Sequence, residues 1–403
     1  MLKSNSKLFL MKNSFFKSQI KSQLILSNLK HFSEAENTSD KKFNMLFFGN
    51  DEISLPSLEK LYENSIKSDT LINKLTIVTT PNDNKKSTQG IFHQYLQMKN
   101  LEKIFLDKKD LKNSWNELEN KIKSEKYNLG LIASFGQMIP KEIIKSLNEK
   151  VFVMHPSLLP KYRGGAPIQH TLLNHDKKTG ITICEASIGK FDAGDIVLQK
   201  SIDVEIFHRF KELSFILSNL GADAFIEFLS NYDNLLLKKI PQNEELSSKA
   251  PLIIGQNIYL DFINDEASKV LTDYKAFFGS QIEPFSKFIL GKEEKQIFFD
   301  NLFVVTKSSS YYTKILQDID KKAKPGAIFW DIKQERNFVF IKAKNDWLAT
   351  NKIKLNGTNY VNGEFFIVKM MQNKRFNEAN KNELNFRISA NEALILKGIE
   401  GKK

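Results

Sequence analysis

Two side chains in this sequence could move a proton between reacting atoms. His155 opens the run His155-Pro156-Ser157-Leu158-Leu159-Pro160-Lys161-Tyr162-Arg163-Gly164, and Asp192 follows 37 residues later in Asp192-Ala193-Gly194-Asp195. An unperturbed imidazole titrates near pH 6.5 and both gives and takes a proton under physiological conditions. A carboxylate folded beside it would orient the ring and stabilise its charged form. The Pro, Ser and Gly around both residues give the turns such a site needs. Taken alone, a histidine next to an apolar run is more often structural than chemical, so its surroundings must decide. The single cysteine, Cys184, lies within the apolar run Ile181-Thr182-Ile183-Cys184. It excludes an intramolecular disulfide and a cysteine-based metal cluster, and is read as buried and inert.

The elements that must position these groups read as alternating strands and helices. Phe43–Phe48 is a short apolar run ended by Gly49, and Leu55, Leu58 and Leu61 then follow at helical spacing. The same grammar recurs at Leu75–Val78, Ile104–Leu106, Leu129–Ala133, Val151–Met154 and Ile181–Cys184. Continuous apolar runs separated by amphipathic stretches predict a parallel sheet covered on both faces. His155 directly follows one such run, and ligands of open α/β sheets gather where strands end. Phe210, Leu213, Leu217, Leu220, Phe225 and Phe228 predict one or two closing helices, with Gly221 as the point of separation. Residues 241–250 are polar and read as a linker. Beyond them, a helix at Ala267–Phe278 precedes short strand-like runs at Phe298–Thr306, Ala327–Trp330, Asn337–Lys342, Lys352–Leu355 and Glu364–Val368. These predict a small β-barrel-like domain.

Length and charge set outer bounds. The chain has 403 residues, enough for two domains and an extension, and a formal charge of +12 that points to an anionic partner such as nucleic acid. Only five of the 59 basic residues are Arg, with Lys, Asn, Ile and Phe abundant throughout. An AT-rich genome would therefore account for part of the excess. Residues 1–33 carry six Lys and seven Ser, and the first acid is Glu34, the pattern of a mitochondrial presequence. No continuous apolar run reaches the ~18 residues that a membrane span requires, so no membrane partner is expected.

The motif around His155 extends this reading. Ser134-Phe135-Gly136-Gln137-Met138-Ile139-Pro140, the gapless run to His155 and on through Gly165-Ala166-Pro167-Ile168-Gln169, and Thr179-Gly180-Ile181 through Asp195 resemble the methionyl-tRNA formyltransferases. The pattern HxSLLPxxRGxAPIQ separates that family from formyltransferases of nucleotide or sugar amines. Weaker likeness runs from Phe43 to about Phe366, including Lys324-Pro325-Gly326-Ala327-Ile328. The resemblance implies an α/β fold: a Rossmann-like formyltransferase domain with a parallel-type sheet at 43–240, then the linker 241–250. An OB-like β-barrel that binds tRNA follows at 251–380, with an extension at 1–42 and a tail at 381–403. It implies transfer of a formyl group from 10-formyltetrahydrofolate to the amino group of methionine on initiator tRNA, in the mitochondrial matrix and without a metal. His155 and Asp192 would be catalytic, Ser157, Leu158, Leu159 and Pro160 would bind the folate, and the loop Phe135–Ile139 would line the pteridine pocket.

Two positions depart from the pattern. The family places an asparagine two residues before the histidine, where its amide donates to the formyl oxygen; here that residue is Val153. The loop after Leu75–Val78, Thr80 to Ser87, is shorter than usual and offers Lys85 and Lys86 where the family carries Arg. Three readings follow: an active enzyme with a compensating donor, a catalytically retired homologue that binds RNA or the mitochondrial ribosome, and a folate enzyme acting on another amine.

Overall fold

The computed structural model describes residues 42–81, 89–253, 258–290, 293–331, 338–363, 365–367 and 393–397. The presequence reading, most of the loop with Lys85 and Lys86, and nearly all of the tail lie outside these residues.

The first domain is built on seven strands: β1 Phe43–Phe48, β2 Ile72–Thr79, β3 Lys103–Phe105, β4 Leu129–Ala133, β5 Val151–His155, β6 Lys178–Glu185 and β7 Ile196–Asp203, in the order β3-β2-β1-β4-β5-β6-β7. The first five pair in parallel. The continuous apolar runs arise because successive side chains enter two different cores. Met45, Phe47, Leu129, Leu131, Phe152 and Met154 face one core with the helix Phe210–Ser230. Leu46, Phe48, Ile132 and Val151 face the other with Leu118, Ile122 and Ile143. Burying both faces leaves no polar alternation along the strand.

The sequence reading missed three features of this sheet. The strand that carries Cys184, β6, runs antiparallel to β5: the connection through the helix Pro167–Leu173 stays at the end where β5 finishes, and Thr182 there pairs with His155. An apolar run does not encode strand direction. The seventh strand was not anticipated, since Ile196–Asp203 is an edge strand with alternating burial and polar residues at Gln199, Lys200 and Asp203. Phe210–Ser230 is one unbroken helix, and Gly221 does not divide it. A Cβ at Gly221 would stand 2.7 Å from Met154 Sδ, so this glycine lets the helix approach β5. That helix is long and apolar enough to cross a membrane, yet its apolar residues fill the core beneath the sheet.

The second domain has two antiparallel sheets, ordered β10-β13-β12-β11-β16 and β15-β14-β9-β8. Their strands are β8 Phe285–Leu290, β9 Glu293–Asp300, β10 Phe303–Val305, β11 Ala327–Asp331, β12 Val339–Lys342, β13 Trp347–Thr350, β14 Lys352–Leu355, β15 Val361–Asn362 and β16 Ala393–Lys397. Only Asn351 separates β13 from β14, so one run of chain serves both sheets. Ile297, Phe299, Ile328, Ile341, Leu348 and Ile353 form the core with the predicted helix, observed at Ala267–Phe277. The run predicted as a strand at Glu364–Val368 is helical at 365–367.

Candidate active site

His155 ends β5, the strand buried on both faces, and is itself 4% exposed. The following residues turn sharply and return, so that the carbonyl oxygen of Tyr162 lies 2.8 Å from His155 Nε2. A carbonyl can only accept, so Nε2 carries the hydrogen. The other ring nitrogen, Nδ1, lies 3.5 Å from Asp192 Oδ2. With Nε2 engaged by the carbonyl, Nδ1 is the ring nitrogen that faces the carboxylate.

The loop 186–195, between β6 and β7, brings Asp192 to this position with a left-handed backbone, φ 54°. Asp192 Oδ2 also accepts from the Gly164 backbone N–H at 3.0 Å. One turn, Tyr162-Arg163-Gly164, thus holds both partners, the imidazole through a carbonyl and the carboxylate through an amide. Tyr162 is held in turn by its buried phenol, which donates to Asp176 Oδ2 at 2.8 Å and accepts from Asn174 Nδ2 at 2.8 Å. A Cβ at Gly164 would stand 2.6 Å from the Ala250 carbonyl oxygen, and φ is 120°, so only glycine fits here.

Ser157, Leu158, Leu159 and Pro160 lie between these anchors and fold down onto β6 and β7. Ser157 Oγ donates to the Lys161 carbonyl at 2.6 Å, and Thr182 Oγ1 donates to the Ser157 carbonyl at 2.7 Å. The Leu159 N–H donates to Thr182 Oγ1, and Gln199 Nε2 donates to the Leu159 carbonyl. Ser157 and Leu159 are buried, whereas Leu158 and Pro160 keep partial exposure. Val153 shares the face of β5 that ends in His155 and packs against the second core. Phe135 is buried between Phe48 and Trp115, while Met138 in the same loop is exposed. Ile188 and Phe191 are exposed in the loop that carries Asp192.

A second polar cluster occupies the switch between β1 and β4, where strand order reverses. Ser134 Oγ donates to Asp51 Oδ2 at 2.6 Å, and Asn50 Oδ1 accepts from the hydroxyls of Thr79 and Thr80. Burial pushes the Asp51 carboxyl up, against the pull of the Ser134 hydroxyl and the Ser54 and Ile53 amides. Sequence reasoning missed this cluster, although Gly49-Asn50-Asp51 after a buried strand was a usable signal. Cys184 is buried as expected, and desolvation pushes its thiol up. Among the described residues no group of three or more His, Cys, Asp or Glu could hold a metal ion. A cavity of about 350 Å³, lined by Leu173, His175 and Thr272 among others, touches neither His155 nor Asp192.

Comparison with known proteins identifies the family. Residues 43–229, nearly all of the first domain, match the formyl transferase family model. The mitochondrial methionyl-tRNA formyltransferase of Bos taurus is 27% identical over 320 residues, 78% of this chain and 74% of that protein. The methionyl-tRNA formyltransferase of Lactobacillus acidophilus is 34% identical over 235 residues, 56% of this chain and 71% of that protein. The chain belongs to the methionyl-tRNA formyltransferase family. Among solved structures, HypX from Aquifex aeolicus in complex with tetrahydrofolic acid superposes with a TM-score of 0.51 at 16% identity, over 82% of this chain and 48% of HypX. The chain spans about half of HypX, and at that identity the likeness is one of fold.

Proposed function

We propose that this protein transfers the formyl group of 10-formyltetrahydrofolate to the amino group of methionine on initiator tRNA, in the mitochondrial matrix. The observation that carries the reading is the pairing of His155 with Asp192 across a turn that binds both, in a chain of this family. The methionine nitrogen forms a bond to the formyl carbon, negative charge gathers on the formyl oxygen, and the bond to the folate nitrogen then breaks. One proton must pass from the attacking amine to the leaving nitrogen. His155 carries it at Nδ1, and Asp192 stabilises the ring while it holds that proton. In this reading the exposed Met138, Ile188 and Phe191, with the partly exposed Leu158 and Pro160, would offer apolar contacts to a flat pteridine.

Residues 43–240 and 251–380 serve in this reading as catalytic and tRNA-binding domains. The mitochondrial relatives and the basic extension support the location. The relatives also favour the enzyme over a retired RNA-binding homologue, for which cosedimentation with mitochondrial ribosomes would be the mark. The test is to offer the purified chain and 10-formyltetrahydrofolate three amines: methionyl initiator tRNA, methionyl elongator tRNA and an amino sugar nucleotide. Formyl product is expected on the initiator tRNA above the other two. Product on the sugar alone would overturn the reading. A fluorescent fusion of residues 1–42 is expected in the matrix, and cytosolic retention would refute the location.

A further inference from the structure

The segment that joins the two domains does not run free. Ile240 pairs with Ile196 at the start of β7, through two backbone hydrogen bonds of 2.8 and 2.9 Å. Farther on, the Tyr162 N–H donates to Ser248 Oγ, the Arg163 N–H to the Ser248 carbonyl and the Ala250 N–H to the Arg163 carbonyl. The segment therefore lies as a strap across the turn that anchors His155. Between these attachments sits Gln242, whose Nε2 donates to the carbonyls of Asp192 at 2.9 Å and Gly194 at 2.7 Å. Its Oε1 accepts from Arg163 Nε at 2.9 Å and Nη2 at 2.7 Å. Glu244, two residues on, holds the third guanidinium nitrogen, Nη1.

We propose that Gln242 is a positioning residue for formyl transfer: one amide ties the Asp192 loop to Arg163, and so fixes the carboxylate against His155. The chemistry of the contacts carries the assignment. Asp192 adopts a left-handed backbone that a non-glycine residue rarely takes unless its surroundings impose it. Gln242 binds the backbone of that residue and of Gly194, with both amide hydrogens engaged. Arg163 immediately precedes the glycine whose N–H holds Asp192 Oδ2. The two loops of the His155 and Asp192 pair are thus joined through a side chain that touches neither reacting group. Because Gln242 lies on the interdomain strap, the placement of the second domain and the geometry of the pair depend on the same few hydrogen bonds.

This inference rests on the proposed formyl transfer, and the test separates the two. Gln242→Glu keeps the length of the side chain and its acceptor toward Arg163, but turns an oxygen toward two carbonyl oxygens. With the melting temperature retained, the variant should lose about 10- to 100-fold in kcat, the scale expected for a misplaced catalytic group. KM for the tRNA and for the folate should stay within ~3-fold, since no ground-state contact is removed. Hydrogen exchange supplies a readout that needs no turnover: the Gly164 amide should exchange faster in the variant, in the peptide covering Tyr162 to Gly165. A kcat within ~2-fold of wild type, or a loss confined to KM for the tRNA, would overturn the proposal. Should the wild-type protein form no formylated tRNA, the functional reading fails, and an unchanged Gly164 exchange rate would still refute the tie.

Discussion

Asp192→Asn should slow formyl transfer by roughly one to two orders of magnitude, far less than the same change costs where the carboxylate sets the tautomer of the histidine. The structure fixes that scale. In a triad whose carboxylate chooses the tautomer, the amide substitution leaves the ring in place but selects the wrong tautomer, and costs ~10⁴ in turnover. Here the Tyr162 carbonyl already holds the Nε2 hydrogen, and the substitution leaves that bond intact. The carboxamide oxygen that takes the place of Oδ2 still accepts from the Gly164 N–H and still faces His155 Nδ1, since one oxygen makes both contacts, but it carries no formal charge. The ring then loses the charge that would stabilise it while it holds the proton. The interaction forfeited is one charge-assisted contact, worth about 1.5–3 kcal/mol, or roughly 10- to 150-fold at about 1.4 kcal/mol per decade. Initial rates on methionyl initiator tRNA, at saturating 10-formyltetrahydrofolate, measure it. A loss of ~10⁴ with an unchanged melting temperature would mean that Asp192, and not Tyr162, sets the tautomer. A loss below ~3-fold would mean that the contact with His155 is not used.

Two further substitutions test other parts of the account. Val153→Asn restores an amide on the face of β5 that leads to His155; since one oxyanion donor is worth ~10²–10³ in turnover, kcat should rise at least ~10-fold in single-turnover assays, while the lost apolar contact lowers the melting temperature. No rise would place the donor elsewhere. In the second domain, burial acts to raise the Asp320 carboxyl, but hydrogen bonds from Lys342, Tyr312 and Trp347 outweigh it and hold the group below its usual value of 3.8. A depressed carboxyl stabilises the fold above its unfolded-state value and loses that contribution as pH falls through the folded one. Thermal melts should therefore show stability falling below about pH 4, and Asp320→Asn should lower the melting temperature at pH 7 and flatten the acid limb. An unchanged acid limb would contradict the assignment.

How much the sequence disclosed depended on which groups carry the information. Strands β1, β4 and β5 were legible because each buries both faces, which calls for apolar side chains at nearly every position. The direction of β6 was not, since a strand buried on both faces has the same composition whichever way it runs. Gly221 reads as a helix breaker by propensity, whereas its place is set by contact with Met154, a residue 67 positions away. At the site, His155 and Asp192 stood out through the motif's resemblance to a known family, since side-chain chemistry alone left a structural histidine the readier reading. Their holders were not: the Tyr162 carbonyl and the Gly164 amide are backbone groups that no residue code announces. Gln242 was hidden for another reason. It lies in a polar stretch whose composition reads as a linker, and only the fold shows that the stretch is bonded to the turn beside His155.

The central claim is that this chain forms a bond between a formyl carbon and the methionine nitrogen of initiator tRNA, with His155 carrying the proton. It is tested most directly by incubating the purified chain and its His155→Ala variant with 10-formyltetrahydrofolate and methionyl initiator tRNA, and following formylmethionyl-tRNA. The account predicts product from the wild type, and a rate lower by ~10²–10⁴ from a variant of equal melting temperature, the contribution of a positioned acid and base. No product from the wild type, or equal rates from the two proteins, would contradict it.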